Sequence, residues 1–100
     1  WQIALYWQTD RPLPVDYTIS VRPLAGDQPI MEAGTPIIQD HEPVWGFYPT
    51  SRWPAGILIR DMYSFELPEN TSPSAVQIVI YQTTGSGFEN VADQTITLPP

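Results

Sequence analysis

The sequence predicts an all-β protein: an antiparallel β-sandwich, immunoglobulin-like or jelly-roll in type, built from six to eight short strands. Three observations predict it. Apolar and polar residues alternate with a period of two in several separate runs, the mark of half-buried strands. Helical spacing persists nowhere for more than one turn. Clusters of Pro, Gly, Asn, Asp and Ser separate the runs at intervals that suit a sandwich.

The first run covers residues 1–7, with Trp1, Ile3, Leu5 and Trp7 on one face and Gln2, Ala4 and Tyr6 on the other. Pro12 and Pro14 make residues 9–15 a loop, because proline has no N–H to give to a ladder. Tyr17, Ile19 and Val21 then alternate with Thr18, Ser20 and Arg22 in a second strand expected to end near Pro23. Ala25, Gly26, Asp27 and Gln28 supply a turn, and residues 29–33 return as the short arm of a hairpin. Residues 34–48 read as a long structured connection with at most one edge strand around Ile37 and Ile38.

Two turns follow, at Pro49, Thr50, Ser51 and Arg52 and at Pro54, Ala55 and Gly56, with Trp53 between them. From Ile57 the alternation resumes and is the longest in the chain: Ile57, Ile59, Asp61, Tyr63, Phe65 and Leu67 share a face. One acid stands in that apolar row, so either a bulge shifts the register or Asp61 points inward. After a loop over residues 68–74, Val76, Ile78 and Ile80 mark a strand apolar enough to be central. Residues 83–87 form a hairpin turn, and residues 88–98 a final strand or pair of strands with Ile96 and Leu98 facing in. The expected core is Ile3, Leu5, Trp7, Tyr17, Ile19, Val21, Ile57, Ile59, Phe65, Val76, Ile78, Ile80 and Ile96.

One hundred residues suit a single domain, here residues 1–100. The chain has no cysteine, which removes disulfides and Cys-ligated zinc from consideration. Four cationic residues, all arginine, stand against eleven carboxylates, for a formal net charge of −7. That balance argues against nucleic acid, whose binding needs clustered cations, and against an anionic membrane surface. No apolar run approaches the ~20 residues of a membrane-spanning helix. The first residue is Trp1 rather than Met, so the chain is expected to be part of a longer protein.

Aromatic residues are the leading binding candidates. Trp45, Phe47, Tyr48 and Trp53 lie close together in turn-rich sequence, with Arg52, Asp40 and Glu42 nearby to meet hydroxyls. Sugars stack their C–H faces on such rings. The plainer reading makes Trp53 a plug at one end of the core and Trp45 the cover of an edge, as large aromatics in small sandwiches often are. Asp61 is expected to be structural, tying the turn that holds Thr50 and Ser51 to the long strand, with Arg52 as a further partner. His41 stands between Asp40 and Glu42, three metal-ligand types in a row, but neighbours in an extended segment point to opposite faces and do not converge on one ion, so a solvated loop is expected. No metal site, cofactor or catalytic residue is assigned. A Gly-x-Ser-x-Gly elbow is lacking, and Gly85, Ser86 and Gly87 are a hairpin tip.

Leu5-Tyr6-Trp7-Gln8, Asp16-Tyr17-Thr18, Tyr48-Pro49-Thr50-Ser51-Arg52-Trp53, Gly56 and Arg60-Asp61 together resemble a β-sandwich domain appended to bacterial membrane glycosyltransferases. The parent proteins are similar to dolichyl-phosphate-mannose–protein mannosyltransferases. Ser20-Val21-Arg22-Pro23-Leu24 departs from the Phe-x-His-Leu run of that pattern, and Pro73-Ser74-Ala75 from its Pro-Gly. The resemblance implies an extracytoplasmic, non-catalytic accessory domain attached to the membrane only through parent segments. Its partner would be a glycan or another domain of the parent. A spacer without a ligand and a small hydrolase are the alternatives.

Overall fold

The computed structural model describes residues 1–99 and shows an all-β protein with antiparallel pairing throughout. Nine strands occur in the described residues: β1 (Gln2–Trp7), β2 (Thr18–Ala25), β3 (Gln28–Pro29), β4 (Met31–Glu32), β5 (Thr35–Pro36), β6 (Gln39–His41), β7 (Ile59–Ser64), β8 (Ala75–Thr84) and β9 (Gly87–Thr97). Strands β1 and β7 form one layer. The second layer runs β3-β2-β8-β9, with β6 pairing the same side of β2 as β3 does. Strands β4 and β5 make a separate small hairpin.

Alternation decides which side chains meet between the layers. In β1 and β7 the register sets Ile3 opposite Tyr63, Leu5 opposite Asp61 and Trp7 opposite Ile59, so all six point the same way. In the larger sheet Ile19, Val21, Val76 and Ile78 point back at them. Leu5, Tyr63 and Phe65 close on these four to form the buried centre, with Ile3, Trp7, Ile37, Leu67, Ile80 and Leu98 at its margin.

Several expectations need correction. Strand β2 continues past Pro23, which is fully buried within it. The Pro23 carbonyl accepts from Ile30 N–H at 3.2 Å, which turns the proline nitrogen toward the junction of β3 and β6, so the β8 ladder loses no donor there. Residues 29–33 do not form one strand. Ile30 breaks the run and is buried, with β3 before it and β4 after it. Residues 34–48 hold two short strands, not one.

Three residues expected in the core lie outside it, and the first, Tyr17, is half-buried just ahead of β2, which begins at Thr18. Ile57 is 50% exposed because β7 begins only at Ile59, and residues 54–57 are still turning. Ile96 is 43% exposed although its side chain has the inward parity. The β1–β7 layer has only two strands and does not extend far enough to cover β9.

Candidate functional site

The two sides of the sandwich are finished differently, and the β6–β7 side is where polar chemistry gathers. On β6, Gln39 and His41 pair with Val21 and Ile19 and therefore face the opposite layer. There they meet Tyr63 and Ser64 of β7. Gln39 Nε2 donates to Ser64 O at 2.9 Å and fastens the two layers together. His41 lies between two rings, stacked on Tyr63 (centroids 4.3 Å apart, 15° between planes) and on Trp45 (3.8 Å, 19°). Its Nδ1–H donates to Glu42 O at 2.8 Å.

Asp61 holds the loop that brings Trp45 to this stack. It is 1% exposed, points inward without a bulge in β7, and accepts from Val44 N–H at 2.8 Å and from Trp7 Nε1–H at 3.4 Å. Val44 and Trp45 both adopt left-handed backbone, φ 54° each. That conformation disfavours a β-branched residue such as valine and persists only where surrounding contacts impose it. The Asp61–Val44 hydrogen bond is such a contact. Gly46 continues the turn at φ +82°, with Glu42 Oε2 3.8 Å from where a β-carbon would stand.

The expected partner of Asp61 is therefore corrected. Asp61 does not bind the turn at Thr50, Ser51 and Arg52; it binds the preceding loop. That turn, Thr50–Arg52, is tied instead to the entry of β2. Thr50 is buried, and its hydroxyl donates to Val15 O at 2.7 Å while accepting from Tyr17 N–H at 2.9 Å. Ser51 N–H donates to Asp16 Oδ1 at 2.9 Å. Hydrogen bonding from Ser51, side chain and backbone, with Arg52 nearby, holds the Asp16 carboxyl below its usual range. Arg52 itself is exposed.

The aromatic group divides in the same way. Trp53 is 6% exposed, and its Nε1–H donates to Tyr48 O at 2.8 Å, so it is a core plug. Tyr48 is half-buried. Trp45 is 57% exposed although one indole face rests on His41, and Phe47 is 86% exposed. A flat platform of Trp45, Tyr48 and Trp53 does not exist; Trp45 stands alone with Phe47 two residues on. His41 is not in a solvated loop, as its environment makes clear: it is half-buried, on a strand, between two rings. The strand is only three residues long, too short for any period to reveal it.

Three buried polar atoms at this edge have no hydrogen-bond partner among the described residues: Gln39 Oε1, His41 Nε2 and Tyr63 Oη. Tyr63 is completely buried, and its hydroxyl feels the Asp61 charge without reaching hydrogen-bonding geometry. Burial, then the Asp61 and Asp40 carboxylates, push its ionisation far above that of a free tyrosine. Two results follow. Tyr63→Phe removes an unsatisfied hydroxyl at constant ring volume, so thermal stability at pH 7 is expected to stay level or rise by about 1 kcal/mol. Above pH ~10 the unfolded chain releases a tyrosine proton that the folded chain retains, so stability falls as pH rises. Tyr63→Phe should flatten that alkaline limb in denaturation curves taken at successive pH values. An equally steep limb in the variant would refute the assignment.

Elsewhere the surface has open recesses. The one bordered by Gln8, Thr9, Asp10 and Gly56 measures ≈ 530 Å³, and Asp10 is its only carboxylate. A narrower one of ≈ 180 Å³ lies at the sandwich end under Trp53, Leu13 and Tyr17. Neither brings two titratable groups together in the manner of an acid–base pair. Among the described residues, no cluster of three or more His, Cys, Asp or Glu is placed to hold a metal ion. Among the same residues, no helix is long and apolar enough to cross a membrane. No protein-family model, curated protein or solved structure matches the chain.

Proposed function

We propose that this chain is a non-catalytic binding module that offers Trp45 as a stacking surface to a saccharide. In this reading it serves a larger membrane protein of the glycosyltransferase kind as an extracytoplasmic accessory domain. One observation carries the binding reading. An indole more than half exposed is fixed in orientation by a ring stack behind it and a strained loop locked to a buried acid. A ring prepared in this way loses little freedom when a sugar face settles on it. Glu42, whose carboxylate lies along the same turn, supplies an acceptor for sugar hydroxyls. The resemblance of the Tyr48–Trp53 segment and of Arg60-Asp61 to such accessory domains supports the context.

Mannan-affinity electrophoresis, with calorimetry against mannose oligosaccharides, tests the reading. Trp45→Ala is expected to weaken binding roughly tenfold, as the loss of one aromatic stack of ~1.4 kcal/mol would. Its melting temperature should change little, because the ring is largely in water. If wild type and variant migrate identically on mannan and on unrelated glycans, the saccharide reading fails. The spacer reading then gains.

A further inference from the structure

The side of the sandwich opposite His41 is unfinished. Among the described residues, strand β9 pairs only with β8, and every residue of its length is exposed. Its free edge therefore presents a row of backbone donors and acceptors to solvent. A register shift separates Ile80↔Ala92 from Tyr81↔Asn90, leaving Val91 as an extra residue, so the uninterrupted part of the edge runs from Ala92 to Thr97. Along that part the inward positions are Ala92, Gln94 and Ile96. With Trp7, Ile78 and Ile80 they line a largely apolar recess of ≈ 120 Å³.

Natural edges are usually guarded by lysine, proline or an inward charge. Residues 92–97 contain none of these, and Asp93, the one charge, points outward and accepts from Gln77 Nε2 at 3.0 and 3.2 Å. Glu89 is the other charge of β9, so the strand is purely acidic on a chain of net charge −7. A second copy would bring acid to acid. A cationic strand would find complementary charge, an unpaired ladder and an apolar trough in one place.

We infer that the β9 edge between Ala92 and Thr97 receives an extended basic segment of a partner protein. That segment adds as a strand, with apolar side chains over the Trp7–Ile96 recess and basic ones toward Asp93. The inference does not depend on the saccharide reading, because the two surfaces lie on opposite sides of the sandwich.

The test uses the full chain and a short synthetic peptide of alternating valine and lysine, with a valine–glutamate peptide of the same length as control. The cationic peptide is expected to bind, to weaken with salt, and to slow amide exchange at residues 92–97. The acidic peptide should not bind. Gln94→Lys places a charge at an exposed inward position and is expected to reduce affinity by roughly tenfold or more. Trp45→Ala should leave peptide binding unchanged. Exchange protection elsewhere, equal binding of both peptides, or a Gln94→Lys variant that binds like wild type would overturn the inference. So would a concentration-dependent dimer protected at the same residues, since the occupant would then be a second copy.

Discussion

Trp53→Ala is expected to remove about 3–5 kcal/mol of stability, a heavy loss for the truncation of one side chain. The indole fills the end of the sandwich beside Thr50 and Tyr17, with almost none of its surface in water. Truncation enlarges the adjoining recess, and the neighbours can close only part of the gap. It also deprives the Tyr48 carbonyl of its 2.8 Å donor. A domain of this size has only ~5–15 kcal/mol in total, so the variant should lose a large share of its denaturation midpoint. Trp53→Phe separates the two contributions: most of the packing returns and about 1 kcal/mol of hydrogen bonding does not. Urea titration of the three proteins checks this, and an alanine variant within about 1 kcal/mol of wild type would place the ring outside the core.

Asp61→Ala comes second, at about 2–3 kcal/mol, or a fall in Tm on the order of 10–20 °C. Two donors, Val44 N–H and Trp7 Nε1–H, lose their acceptor inside the protein. The gain from no longer burying a carboxylate offsets part of that loss. A local effect should accompany the global one. Without the bond to Val44, little holds valine in left-handed backbone, and the loop carrying Trp45 is expected to relax. Asp61→Asn keeps an acceptor for Val44 and should retain the loop with a smaller loss. Chemical shifts of Val44 and Trp45 in the two variants distinguish this from simple destabilisation: Asp61→Ala should move them far more than Asp61→Asn does. A Tm unchanged in Asp61→Ala would contradict the buried, bonded role.

Much of this architecture is visible in the residues themselves, for a physical reason. Strands β1, β2, β7 and β8 are long enough for a period of two to repeat, and each buries residues of the face that its alternation marks, but β2 and β8 bury the other face as well, at Ser20, Leu24 and Val79. Asp61 stands out as the single acid in an apolar row, and it is buried. Its partner is not legible there, because a hydrogen bond to Val44 links segments that only the folded chain brings together. His41 is hidden for a related reason: three residues give no period, and the rings that enclose it come from β7 and from a loop in left-handed backbone. Ile96 shows the opposite failure. Its parity is inward, but parity cannot show that the facing layer stops short.

The pairing of β1 with β7 also has a consequence for how the chain reaches its native state. Trp1 and Phe65 hydrogen-bond across a separation of 64 positions, whereas β8 and β9 are joined by a tight turn at Gly85 and Ser86. Local hairpins close in microseconds, but distant strands must first surrender a large amount of chain entropy. The β8–β9 hairpin should therefore assemble early, whereas β1 with β7 and β2 with β8, whose partners are comparably distant in the chain, should close late and together set the overall rate. Until they do, Val76 and Ile78 of the hairpin are uncovered, and the nascent sheet is at its most vulnerable to aggregation.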